Sequence, residues 1–224
     1  MIVHISQPRI YPHLSYLEKI DTADLFVVMD DLVLKPELYE RRNRYYNPMS
    51  GDARFLTIPT EKGKIFSETK ILDLDFAAKH RRILRDCYRK HSRFYCDSML
   101  EYLVCDPDTE WFMDYFFKSM EQIGKVLNIT TPIKLASEVP GCSKKVQRLN
   151  DILSFYNADE YLSGAAGAGY MNGDCIVPVT FRDHQKEVEV FHTNPNTDDM
   201  LMFVDTIFNC GLTRTMELLR YARD

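Results

Sequence analysis

The chain has no CxxC pair, and its six cysteines are too widely spaced over 224 residues to suggest a disulfide framework. No run approaches the eighteen or so apolar residues of a membrane span, and the first residues lack the charged start and long apolar stretch of a signal peptide. These absences make a soluble protein of the reducing cytoplasm the expectation. Positive charge is not in excess either. With 28 Lys+Arg against 33 Asp+Glu the formal charge is −5, which argues against a dedicated nucleic-acid or anionic-membrane surface. Internal repeats and disordered linkers are missing, as are a Walker loop, Gly-x-Ser-x-Gly, His-Glu-x-x-His and any cysteine-rich zinc arrangement, so no metal site is expected.

What is there is apolar enough to bury a substantial core, at 45% hydrophobic, and the length is read as one domain over residues 1–224. Residues 2–31 organise the rest. Ile2, Val3 and Ile5 suit a buried strand, and Leu25 to Met29 form the near-continuous apolar run of strands covered on both faces. Between them Pro12 suits a first helical position, with His13, Tyr16 and Ile20 sharing a face. The pattern predicts a βαβ opening and an α/β fold: an open, mostly parallel, Rossmann-like sheet with an additional helical layer. Ligands of such sheets bind beyond the carboxyl ends of the strands, here Gln7 and Asp30-Asp31.

Further along, the segment 35–48 reads as a loop or broken helix bounded by prolines, and 54–60 as a strand halted by Pro59. Residues 76–127 read as mainly helical, with an amphipathic helix over 76–93 and another over 110–127 whose stripe runs from Trp111 to Leu127. Residues 133–137 suggest a strand, followed by a helix that Ser143 could cap with Val146, Leu149, Leu153 and Tyr156 inward. Pro178 confines 175–181 to an edge or bulge, and 187–191 alternates as a half-exposed strand. Thr197 or Asp198 could cap a final helix ended by Gly211, with one more helix after it.

The candidate chemistry gathers near the first two strand ends. His13 at a helix start could stabilise charge on a transferred phosphoryl group, or simply cap and pack. Asp30, preferred over its neighbour Asp31 because period two sends them to opposite faces, could act as a base or orient a hydroxyl; the alternative is a solvated turn or helix cap. Arg42 and Arg44, flanking Asn43, could grip phosphate or carboxylate with their planar forks. Gln7 could read ligand polarity or close a turn. Residues 163–169, SGAAGAG, could bring backbone N–H groups to a phosphate, with Ser163 and Lys145 in support, though close packing explains such a stretch more often.

Gln7-Pro8, Tyr11-Pro12, Tyr16, Lys19, Asp24, Phe26-Val27, Asp30-Asp31, Arg42-Asn43-Arg44 and Leu56 to Pro59 together resemble the opening of the WbqC-like protein family. Lys79-His80, Tyr88, Phe94, Tyr161 to Gly164, Tyr170, Asp205, Phe208-Asn209 and Gly211 are similar to its later landmarks. Ser15 stands where glycine is expected, and 186–192 lacks the family's Tyr and Gln. The resemblance implies roles in substrate binding for Tyr11, Tyr16, Lys19, Gly164 and Tyr170 beside the residues above. It also implies a transferase of surface-polysaccharide (O-antigen) biosynthesis that adds an acyl or aminoacyl group to a sugar or sugar nucleotide. The expected partner is thus a sugar nucleotide or another small-molecule acceptor. The cofactor is open, with a nucleotide triphosphate and Mg as the candidate, and so is the oligomeric state. Two alternatives stand: a nucleotidylyltransferase-like modifier of another acceptor such as a nucleobase, and a sugar-nucleotide-binding protein without turnover.

Overall fold

Short apolar runs with alternating contacts build the centre of the molecule. In the computed structural model, residues 1–35, 37–141, 144–164, 167–171, 174–182, 190–191, 193–197 and 200–221 are described. β1 (Ile2–Ser6), α1 (Leu14–Thr22) and β2 (Leu25–Val28) form the expected βαβ unit, with β1 and β2 parallel and Ser6 opposite Val28. α1 starts two residues later than Pro12 suggests. His13 is its N-cap residue, and the Pro12 carbonyl instead accepts a hydrogen bond from the Phe203 N–H.

Three more strands join in parallel: β5 (Ile133–Leu135), β6 (Glu160–Ser163) and β7 (Val179–Phe181). The order across the sheet is β5-β2-β1-β6-β7, so the chain winds outward from β1 to one edge and then returns to build the other. β7 is an edge strand that begins just after Pro178, as the missing N–H of proline requires. Alternation divides the strands between two cores. Val3, Ile5, Leu25 and Val27 pack with Leu149, Ile152 and Leu153 of α5 (Val146–Phe155) on one side. Phe26 and Val28 join a larger core on the other, with α1 and the helical layer.

That layer is inserted between β2 and β5. It contains α2 (Phe76–Tyr88), α3 (Asp97–Leu103), which periodicity did not suggest, and α4 (Phe112–Leu127). Trp111 is the N-cap residue of α4 and lies half out in solvent rather than on the buried stripe. Ahead of the helices stands a separate antiparallel hairpin, β3 (Arg42–Asn47) and β4 (Asp52–Thr57). The segment expected to be a loop is therefore half strand, because Pro48 falls in the turn and leaves 42–47 free to alternate.

After α6 (Ala168–Met171) and β7 come α7 (Phe203–Cys210) and α8 (Leu212–Leu219), separated at Gly211 as expected. The cap residue of α7 is Met202, not Thr197; Asp198, Ser143 and residues 187–189 lie outside the described residues. Val190 and Phe191, the described end of the expected strand 187–191, are helical. No described helix is long and apolar enough to cross a membrane.

Candidate functional site at the carboxyl end of β1

Parallel strands of an open α/β sheet offer a ligand crevice where the chain reverses its direction of winding, outside the carboxyl ends of the strands. In this order the reversal falls between β1 and β6, not between β1 and β2. The crevice is thus flanked by Gln7 to His13 on one side and by Ser163-Gly164 on the other. Asp30-Asp31 stands one strand farther out, beyond the end of β2, where the Met29 N–H still donates to the Ser6 carbonyl at 2.9 Å.

The residues after β1 carry a chain of ring and guanidinium contacts. Arg9 Nη1 donates to His13 Nε2 at 3.2 Å, which leaves the proton of a neutral imidazole on Nδ1, 2.9 Å from Ser15 Oγ. The His13 ring meets the edge of Tyr39 at 6.3 Å; Arg44 lies over Tyr39 at 5.8 Å, and Tyr39 tilts against Phe55 at 5.9 Å. Arg42 stacks on Phe55 at 4.3 Å and donates to the Glu37 carbonyl. A run of ring contacts through Tyr39 and Phe55 therefore connects His13 with Arg44 and Arg42. Beside them Glu40 is only 4% exposed, and its Oε2 has no hydrogen-bond partner among the described residues. Burial pushes its carboxyl pKa up, opposed by the charges of Arg9, Lys35 and Arg42.

The other expected binding residues mostly hold this arrangement in place. Tyr11 is fully buried, its hydroxyl 3.2 Å from both His80 Nδ1 and Tyr115 Oη, so it is a core residue rather than a ligand contact. Tyr16 is also buried; its hydroxyl donates to the Gln7 carbonyl at 2.9 Å and pins the strand end. Asn43 is fully buried, donating to the Tyr11 carbonyl at 2.7 Å while its own oxygen accepts the Arg44 N–H at 2.8 Å. Lys19 is buried and donates to the Ser15 carbonyl at 2.7 Å, and its stem passes beside Gly164, where a Cβ would lie 3.7 Å from Lys19 Cε. Buried Ser163 directs its hydroxyl to the Gly164 carbonyl, and its own carbonyl accepts the Arg182 N–H. Arg182 in turn pairs at 2.9 Å with Glu18, which is wholly buried on α1. Ala165 and Ala166 and the side chain of Tyr170 lie outside the described residues.

Both aspartates are engaged, Asp31 through Oδ2 alone, with its Oδ1 buried and without a hydrogen-bond partner among the described residues. Both oxygens of Asp30 accept hydrogen bonds from Ser137, from its N–H at 2.9 Å and its hydroxyl at 2.6 Å, so Asp30 caps the short helical turn 136–138. Both Asp30 oxygens are thus engaged at the cap, the alternative to the base role that the sequence left open. Asp31 pairs with buried Arg148 at 2.9 Å, and that guanidinium also donates to the Ala136 and Val139 carbonyls. Together they lock β2 to the segment after β5.

The WbqC-like protein family matches residues 7–216. The chain belongs to that family. An uncharacterized protein of Mycobacterium tuberculosis, Rv1507c, is 23% identical to this WbqC-like chain over 231 residues, covering 99% of this chain and 98% of its own length. No solved structure matches.

The landmarks of the WbqC-like chain now divide by what they touch. Asp205 is buried and accepts from Tyr88 at 2.7 Å, Asn194 at 3.1 Å and Asn209 at 2.9 Å, while Gly211 faces the Phe94 ring; these tie α7 to the end of α2. Burial pushes the Asp205 carboxyl pKa up, against those three hydrogen bonds. His80 is held at a pKa of about 4, chiefly by burial. His80 reaches the crevice residues through the Tyr11 hydroxyl, and the start of α7 reaches them through the Phe203 N–H on the Pro12 carbonyl. A cleft of about 410 Å³ does exist at the opposite end, beside the amino ends of β2 and β5, lined in part by Asp21, Asp24, Thr131 and Arg220. Several of its polar groups are engaged with neighbours: Arg220 lies 3.6 Å from Asp21, Asp24 accepts the Ile2 N–H, and Thr131 donates to the Ile20 carbonyl. Among the described residues no three His, Cys, Asp or Glu side chains converge in a way that could hold a metal ion.

Proposed function

We propose that this WbqC-like chain is a transferase that binds a sugar nucleotide, or a similar phosphate-bearing acceptor, at the carboxyl end of β1 and adds an acyl or aminoacyl group to it. The observation that carries this reading is the grouping of Arg9, His13, Arg42 and Arg44 beside the point where the sheet reverses its winding. Guanidinium forks suit phosphate oxygens, and the amino end of α1 adds a partial positive charge. Gln7 and Gly164 would border the sugar from opposite sides of the crevice. The anion is held by fixed charges, so the acceptor's amine or hydroxyl would be presented to an activated acyl donor with its phosphate already neutralised. The acceptor's nitrogen or oxygen would bond to the acyl carbon as the bond to the activating nucleotide monophosphate breaks, and the proton displaced from the acceptor would pass to solvent water. A nucleotide triphosphate with Mg is the candidate source of activation.

The test is a thermal-shift screen of sugar nucleotides, sugar phosphates and nucleotides, followed by mass analysis of the acceptor after incubation with amino acid, nucleotide triphosphate and Mg. A ligand that binds only the folded state at one hundred times its Kd adds about 2.7 kcal/mol, enough to be read as a rise in Tm. An acceptor that gains the mass of an acyl or aminoacyl group supports the reading. Failure of every phosphate-bearing compound to shift Tm, with Arg42→Ala and Arg44→Ala behaving like the native chain, would refute it. Binding without product would favour a sugar-nucleotide-binding protein.

A further inference from the structure

The β3–β4 hairpin has one face that the core does not use. Directly opposite residues of an antiparallel pair share a face, and here Arg44 lies opposite Phe55, Arg42 opposite Thr57 and Tyr46 opposite Ala53. The reverse face carries Asn43, Tyr45 and Leu56, all buried. Phe55 adds nothing to that core. Phe55 is 43% exposed even though Arg42 lies over its ring and Tyr39 leans on it. From Phe55 the rings step through Tyr39 to His13, so the face runs continuously into the crevice at the end of β1. Arg42 Nε is buried and has no hydrogen-bond partner among the described residues.

We propose that this hairpin face is the nucleoside platform of the site, with a nucleobase stacked on Phe55 and Tyr39 and the attached diphosphate held by Arg42, Arg44 and Arg9. The inference rests on the reading above that the site takes a nucleotide-linked sugar, and it assigns the end of that ligand which the crevice alone leaves undefined. Aromatic side chains bind bases through their π-faces, and a guanidinium against the same ring strengthens the platform. The charge is complementary too, since the cations lie between the exposed aromatic ring and the strand end, where the phosphates of a base-first ligand fall. A bare phosphate or sugar phosphate has no use for an exposed phenylalanine there.

Isothermal titration calorimetry on the full chain tests this with nucleoside diphosphates, ribose 5-phosphate and inorganic pyrophosphate as probes. The native chain should bind at least one nucleoside diphosphate more tightly than pyrophosphate. Phe55→Ala and Phe55→Leu should each weaken the nucleotide about tenfold more than they weaken pyrophosphate, as loss of one base stack does. Phe55→Tyr should restore nucleotide binding. Phe55→Leu keeps an apolar side chain at a half-exposed position, so it covers the case in which the alanine variant does not fold. Equal affinities for pyrophosphate and nucleotide, or nucleotide binding indifferent to Phe55→Leu, would overturn the platform and leave the anion site standing. Absence of binding by all three probes would remove both.

Discussion

Asn43 shows how a residue near a site can matter without touching a ligand. Its side chain bridges two backbone groups, the Tyr11 carbonyl and the Arg44 N–H, from a fully buried position. Tyr11 is itself held at φ +50, a left-handed conformation that a bulky residue adopts only when its surroundings insist. The insistence comes from His80 and Tyr115 at the hydroxyl and Asn43 at the carbonyl, and the turn so fixed carries Arg9 and His13. Asn43→Ala leaves a buried carbonyl and an N–H without their partner. It should lower stability by about 1–3 kcal/mol in urea denaturation and weaken phosphate-ligand binding at the same time. Asn43→Ala binding as tightly as the native chain would argue against that coupling. The sequence marked Asn43 as important, but spacing cannot distinguish an amide facing a ligand from one facing a backbone carbonyl.

At the scale of the element, the hairpin and the α7–α8 junction make the same point from opposite directions. Arg42 to Asn47 contains two arginines and two asparagines, residues depleted in or neutral to strands, so propensity misread a segment that pairing with β4 makes extended. The junction was legible because glycine is a direct statement about backbone. Gly211 sits at φ +82, and a Cβ there would come within 3.2 Å of the Phe94 ring, which is anchored by the Phe94 N–H to the Phe208 carbonyl. Gly211→Ala therefore combines positive-φ strain of about 1–3 kcal/mol with a ring that must shift. Thermal denaturation should show a lowered Tm for Gly211→Ala, and Gly211→Ala combined with Phe94→Ala should recover part of the loss. An unchanged Tm in the single variant would contradict the packing described.

For the molecule as a whole, two buried histidines contribute to the response to acid. His80 is held at about 4 and His4 at about 3, both lowered mainly by burial from the ordinary 6.5. His4 donates through Nδ1 to the Leu162 carbonyl across the β1–β6 pair, and His80 is 3.2 Å from the Tyr11 hydroxyl, so both belong to the framework of the crevice. Because the folded pKa values lie below the unfolded ones, the unfolded chain takes up protons first as pH falls. Stability is accordingly full above pH 6.5 and lost progressively from there toward pH 4 for His80 and pH 3 for His4. Each pKa unit corresponds to about 1.4 kcal/mol, so His80→Gln should flatten the acid limb of a stability-against-pH curve below pH 6.5. An acid limb of unchanged slope in that variant would show that His80 does not carry it.

The amino-acid sequence by itself determined the βαβ opening, the helical character of 76–127, the edge position forced by Pro178 and the break at Gly211, because each follows from local periodicity or from a residue with restricted or special backbone freedom. It also carried the family likeness across nearly the whole chain. Only the tertiary structure decided that the sheet reverses between β1 and β6, that Asp30 belongs to Ser137, and that Tyr39 and Phe55 stand with Arg42 and Arg44 beside His13. Those are pairings between segments far apart or out of phase in the chain, and a linear pattern records which residues can bury or bond but not which partner each one meets.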